Sequence, residues 1–502
     1  MTQKKYLYGA AVQGIQGFIF QTNTLAEIVG ASALVEDVCT KAFDEFAPGG
    51  ANIIGAAGNI KHLFESREDC EKAVFCFPRK IMEIAPGITI SQAVVEIDDD
   101  DDFGVCVEAL EQKLREQRNK PMVGLQQGMI SLKRAPKTGQ PAVSSKKGEL
   151  LDQSTLAKTA AVDKDLLCEK AFGPEEVGKC TFPKDISLMT GENDWIAIIH
   201  ADGNGLGKVV QKVGKNREEY RKFSQGLDQC TKNAAREAFR TTIYNEDIET
   251  FGQVGQGKER VVPIRPMVLG GDDLTLICRA NIAIPYVETF MREFERQTER
   301  RLGETLRRNQ VFNGENKLTC CAGIAFVKSS YPFYYGKELA ETLCEQAKKD
   351  AKNDKLPESG LAPSCLMFHK VQDSYIESFD EIRKRELTPA QNQSWENGPY
   401  YLYETDGRWT IEKLLGNIAY LVEEDRQGVR NGLRQWMTLM HDNPGKAEQK
   451  RQRLLSLLDS DKEACKMVEL LSTPLRKDDT IQRYAAYDVL SLYTVSYKTT
   501  RK

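Results

Sequence analysis

The chain has 502 residues, 41% of them hydrophobic and 28% charged, with a formal net charge of −4. Its length calls for about two to four domains, and its composition excludes bulk disorder, collagen-like repeats and a membrane-protein class. No run approaches ~18 uninterrupted apolar residues, so no membrane span is expected. The slight acidity supplies no general field for nucleic acid, so any such contact has to come from local patches or partner subunits.

The start, Met1 to Tyr6, leads into a strand-like stretch without the apolar core and cleavage site of a secretory signal. Thirteen scattered cysteines with no C-x-x-C pair read as reduced thiols in a cytoplasmic protein, with no zinc module. The four histidines (His62, His200, His369 and His441) are too few and too dispersed for an HD-type metallohydrolase, and His441-Asp442 reads as a helix end.

Residues 5–110 read as a compact α/β unit. Tyr6–Val12 is a strand, 16–46 holds two apolar-periodic helical stretches, and Asn52–Asn59 is a hairpin-like break. Ile88–Val95 is a further strand, closed by the solvated acidic run Asp98–Asp102. Residues 113–147 carry nine Lys or Arg against Glu116 alone, with Pro121, Pro136 and Pro141. This reads as a basic, loop-rich connector, either a solvated linker or an RNA or protein contact.

The best-patterned part is 193–352. Asp194–Ile199 is a buried strand, and a helical stretch covers about 215–245. Two short strands flank Gly270-Gly271-Asp272-Asp273, a helix covers 283–304, Leu318–Val327 is a strand, and Gly336–Lys352 is a helix. This β-α-β-β-α-β order is that of the ferredoxin-like palm of polymerases and nucleotidyl cyclases. From about 378 onward the pattern is mainly helical, with Thr410 a cap before Ile411.

The hairpin carries the chemistry. Gly270 and Gly271 allow a tight turn with room for a nucleotide, and Asp272 and Asp273 offer hard oxygen ligands of the kind Mg²⁺ takes together with phosphate and water. About 70 residues earlier an apolar strand delivers Asp202, followed by Gly203-Asn204-Gly205-Leu206-Gly207 at a helix start, whose amides can cradle a triphosphate. In a palm the two strands are neighbours. Asp202, Asp272 and Asp273 are therefore the expected catalytic residues and ligands of two Mg²⁺ or Mn²⁺ ions. Lys348 on the late helix and Arg265 before the hairpin are candidates for phosphate or base contact, or are an exposed helix lysine and a structural arginine. The reaction implied is attack of a ribose hydroxyl on the α-phosphate of a nucleoside triphosphate, with pyrophosphate leaving.

These residues resemble a known family. Asp202-Gly203-Asn204-Gly205, Pro263–Pro266 with Gly270–Asp273, and Ala322-Gly323-Ile324 with Tyr331-Pro332 and Ala347-Lys348 look like the second palm of the large polymerase-cyclase subunit of type III CRISPR effector complexes. Val12–Phe20 and Glu27–Ser32 look like that family's first palm, so the resemblance covers roughly residues 5–352. It implies an α/β (α+β) fold with two ferredoxin-like palms packed together plus a C-terminal helical domain. The domains expected are a first palm at 1–112, a connector at 113–190, a second palm at 191–377 and a helical domain at 378–502. It also implies synthesis of cyclic oligoadenylate from ATP, triggered by target RNA bound through guide-RNA-binding partner subunits, with no membrane association. The first palm is expected to be non-catalytic, because its equivalent turn, Gly55–Asn59, has no carboxylate. The HD nuclease of many members is not expected here. Two other readings stay open: a stand-alone antiviral cyclase that needs no guide RNA, and a scaffold that binds nucleotide without turnover. The intact carboxylates count against the scaffold.

Overall fold

Lys5–Gln13 (β1) is apolar on both alternating sets of side chains, so it needs a sheet covered on both faces. Leu7 packs with Ile53, Leu63 and Leu110 on one face, and Tyr8 and Ala10 join the main core on the other. In the computed structural model, which describes residues 4–47, 51–56, 58–98, 100–120, 131–162, 165–190, 194–245, 261–353, 359–373, 378–405, 407–475 and 480–496, β1 lies beside Ala51–Ala56 (β2), Asn59–Phe64 (β3) and Thr89–Ile97 (β4) in the order β2-β3-β1-β4. Helices Leu25–Cys39 and Arg67–Ile84 make the crossovers. Ser66 starts the second by accepting the Glu68 and Asp69 amides. The acidic run is more than a solvated turn. Asp102 caps helix Phe103–Arg118 by accepting the Gly104 amide at 2.9 Å, whereas Asp99 lies outside the described residues.

The expected connector is largely built into the body. Helix Phe103–Arg118 runs past the expected boundary at 112, and residues 121–130 lie outside the described part. Beyond them come a hairpin of Ser144–Lys146 (β5) and Glu149–Leu151 (β6), then helices Gln153–Ala160, Leu166–Phe172 and Pro174–Val177. Leu167, Cys168, Ala171 and Phe172 are buried, and Lys170 pairs with Glu36 at 2.8 Å. Helix Gln153–Ala160 lies so close to the first palm that a Cβ on Gly30 would meet the Lys158 carbonyl oxygen at 1.8 Å. The Lys158 ammonium, itself buried, donates to the Phe18 carbonyl at 2.8 Å.

The second sheet holds Trp195–Gly203 (β7), Ile264–Gly270 (β8), Asp273–Arg279 (β9), Cys320–Lys328 (β10) and Cys365–Lys370 (β11). Its first four strands stand in the order β10-β7-β9-β8, which repeats β4-β1-β3-β2 of the first sheet. The second unit therefore has the ferredoxin-like palm order that its element pattern predicts, and the first repeats it, as the resemblance implies. The sheet continues past the expected boundary at 377. After the short strand Gln393–Ser394 (β12), Tyr400–Tyr401 (β13) pairs with β11. The rest is mainly helical, with Thr410 capping Ile411–Val422 as expected, and Gln482–Arg483 (β14) returns to pair with β12.

Gly323 sets how tightly helix Phe333–Asn353 packs on β10. A Cβ there would lie 1.9 Å from the Ala340 carbonyl oxygen and 2.5 Å from the Cys344 nitrogen. Backbone cannot yield as a flexible side chain does, so Gly323→Ala should cost about 1–3 kcal/mol and displace the helix that carries Lys348. A drop in melting temperature is the expected result; a wild-type melting temperature would contradict this packing.

Candidate active site

β7 and β9 are antiparallel neighbours, with Ala201 paired to Leu274, so the C-terminal end of β7 meets the β8–β9 turn. The turn is a two-residue hairpin, Gly271-Asp272, closed by the Gly270–Asp273 pair. Gly271 has φ 63°, which suits glycine at the first central position of a II′-type turn. Helix Arg217–Phe239 secures the turn from behind, where the buried Thr231 hydroxyl donates to the Gly271 carbonyl at 2.6 Å.

This brings the three aspartates together. The Gly203 amide donates to Asp272 Oδ2 at 3.2 Å, and a Cβ on Gly203 would clash with that carboxylate at 2.7 Å. Ligand atoms of His200, Asp202 and Asp273 all lie within 4.8 Å of one another. Lys348, from helix Phe333–Asn353, places its ammonium on Asp202 Oδ2 and on the Gly203 carbonyl at 2.9 Å.

The electrostatics follow from the Lys348 ammonium set among three crowded carboxylates, with the Lys337–Glu341 pair also in electrostatic reach. Burial works against ionisation of Asp202, but the charge and hydrogen bond of Lys348 outweigh it and hold the group below the usual carboxylate range. Asp272 is pushed well up by burial and then by Asp273 and Asp202. Asp273 rises to about 7, from burial first and the Asp202 charge second. The cluster cannot carry its full negative charge without another cation, and its donors are hard oxygens. The residues present therefore fit a divalent Mg²⁺ or Mn²⁺ ion.

The remaining expected contacts divide. Gly207 and Gly271 have open space where a Cβ would stand. Gly205, at φ 78°, begins helix Leu206–Val213 and packs on the Phe312 ring. Asn204 is turned inward. Its Nδ2 donates to Thr319 Oγ1 at 3.1 Å and its backbone amide to the Thr319 carbonyl at 2.8 Å, so it pins the loop instead of facing a nucleotide. Two of the loop amides expected to cradle phosphate, those of Gly203 and Asn204, are thus already used.

Arg265 is a correction. It is 2% exposed, and its guanidinium donates to the Pro183 and Phe182 carbonyls and to Asp165 at 2.6 Å, where it braces the connector. It is not available for phosphate.

His200 was missed by the sequence reading, which counted it only as one of four isolated histidines. Alternation along β7 puts residues 200 and 202 on one face, which is the signal that could have found it. Its Nδ1 lies 3.1 Å from Thr275 Oγ1, and burial pushes the ring below its ordinary range, toward the neutral form.

Residues 195–356 match the family model of the second palm domain of Cas10/Cmr2. Among curated proteins no sequence matches. The whole fold is similar to a chain of the solved Csm1–Csm4 cassette in complex with pppApApA, at TM-score 0.55 and 14% identity, covering 99% of this chain and 70% of that one. The same cassette with cA4 gives 0.54 and 12% over the same shares. The Csm1–Csm4 subcomplex in the type III-A CRISPR-Csm interference complex gives 0.51 and 12%, over 98% and 70%. The resemblance drawn from Asp202-Gly203-Asn204-Gly205 and Gly270–Asp273 thus extends to the architecture, and within it residues 195–356 are the part that matches the Cas10/Cmr2 second palm domain.

Proposed function

We propose that this chain is a metal-dependent nucleotidyltransferase that condenses ATP into cyclic oligoadenylate, as the cyclase subunit of a type III CRISPR effector. The observation that carries this reading is the convergence of Asp202, Asp272 and Asp273 at one end of a Cas10/Cmr2 palm. Solved Csm1–Csm4 cassettes hold cA4, pppApApA and AMPPNP, which favours adenine nucleotides and a partner subunit for the protein they resemble.

Asp202, Asp272 and Asp273 are the residues that would hold two divalent ions. Such ions supply Lewis acidity at a ribose hydroxyl and charge neutralisation at pyrophosphate. The chain's own part is positioning. Thr231 and Gly271 hold the turn, Gly203 orients Asp272, and Lys348 supplies the ammonium that would exchange Asp202 for phosphate oxygens. The open backbone at Gly207 and Gly271 leaves room for the nucleotide.

The test is pyrophosphate release from ATP by the chain with RNA-loaded partner subunits, with and without chelator, and mass analysis of the products. Divalent-dependent release with cyclic adenylate products is expected. No divalent-dependent release from any nucleoside triphosphate would overturn the reading, and activity of the isolated chain regardless of RNA would replace it with a stand-alone cyclase. A second prediction concerns the ion. Because Asp273 is raised to about 7, its protonated form stabilises the fold at low pH, and that stability is lost as pH rises through about 7. Mn²⁺ should therefore raise the melting temperature more at pH 8 than at pH 6. An equal shift at both pH values would contradict the carboxylate site.

A further inference from the structure

The far end of the second sheet gathers positive charge. Asp202 pairs with Cys321 and Cys321 with Cys365, whereas Lys370 pairs with Phe326, five residues further along and ~16 Å away at ~3.3 Å per residue. Lys370 is 8% exposed. Its ammonium donates to the Thr494 hydroxyl and lies 4.4 Å from the centre of the Trp195 ring, which Lys328 also approaches, at 4.5 Å. Arg434, exposed on helix Gln427–Asp442, stacks on Tyr493 at 5.8 Å. Among the described residues neither Lys370 nor Arg434 forms an ion pair. Burial, then Lys328 and Arg434, push Lys370 down to about 8. The carboxylate in the same wall, Glu386, is taken by Arg385 at 2.6 Å.

A cavity of about 410 Å³ opens over this cluster, lined by Lys370, Arg434 and His441 together with Met437, Tyr487 and Leu490. Trp395 Nε1 can only donate, so its 3.1 Å bond to His441 Nε2 leaves the imidazole proton on Nδ1. The cavity is larger than a lone phosphate needs and falls in the range of small-molecule pockets. A buried lysine without a carboxylate partner is costly, and an anion from solution is the chemistry that relieves it.

We propose that this cavity binds a small organic phosphate, with the phosphate on Lys370 and Arg434 and the apolar body against Met437 and Leu490. It is separate from the carboxylate site and does not rest on the cyclase reading.

The intact chain is titrated in EDTA with AMP, inorganic phosphate and a single-stranded RNA oligonucleotide, and binding is read by tryptophan fluorescence and ³¹P NMR. Saturable binding of AMP, tighter than phosphate and weakened at least about tenfold in both Lys370→Met and Arg434→Ala, is expected. Lys370→Met removes a buried unpaired cation, so its melting temperature should stay level or rise, which separates lost binding from lost folding. Arg434 is exposed, and its variant provides the second, fold-neutral reading. No saturable signal at millimolar AMP, or binding unchanged in both variants, would overturn the proposal. So would a Lys370- and Arg434-dependent signal from RNA alone, which would assign the charge to a polynucleotide backbone.

Discussion

Asparagine at both 272 and 273 should reduce nucleotidyl transfer by ~10³-fold or more and, at pH 8, make the metal-free protein harder to unfold. The two effects share one cause. Asp272 and Asp273 are partly buried beside Asp202, and each raises the cost of ionising the other. Their folded-state pKa values lie above the unfolded ones, so the stabilisation present below about pH 4 is lost as pH rises through about 7. Asparagine keeps the shape and removes the charge, so the variant avoids that loss. It also removes the oxygens that a divalent ion needs. The melting-temperature difference should be small at pH 5 and grow toward pH 8, and Mn²⁺ should stabilise the wild type but not the variant. Activity within tenfold of wild type, or a stability difference indifferent to pH, would remove the claim that these carboxylates form one charged site.

Lys348→Met should have the opposite effect on stability. Among the described residues the ammonium is the one ion-pair partner of Asp202, and it also ties Asp202 to the Gly203 carbonyl. Asp202 is about one third exposed, so solvent screens part of the pair. The expected cost at pH 7–8 is roughly 1–3 kcal/mol, below that of a fully buried pair. Asp202 lies below its ordinary value in the folded protein, so this contribution is present above about pH 4 and lost as pH falls further. Wild type and variant should therefore converge in melting temperature in acid. Turnover should fall by ~10²–10³-fold, and Mn²⁺ should restore stability without restoring turnover if the lysine also meets phosphate. Full recovery of turnover by Mn²⁺ would make Lys348 only a counter-ion.

Part of the architecture is written in local pattern. Short apolar runs and 3.6-residue periodicity delivered the β-α-β-β-α-β order of residues 195–328, and the glycines and aspartates at 270–273 specified a tight acidic turn. Strand pairing in that topology then requires Asp202 to meet the turn, because its strand must lie beside β9. The tertiary structure alone decided which face each flanking side chain takes. The register of β8 slips between Pro266 and Val268, and such a slip re-phases the alternation, so a reading by parity from Gly270 cannot place Arg265. Its guanidinium instead braces Asp165 and Pro183. The connector escaped for a different reason: its first part, 113–147, is basic and loop-rich, yet in its second part Leu167, Phe172 and Lys170 each find a partner surface that only the packed palms create. Local propensity selects elements, whereas burial and charge pairing depend on residues more than a hundred positions away, such as Glu36 for Lys170, and these exist as an environment only once the chain has folded.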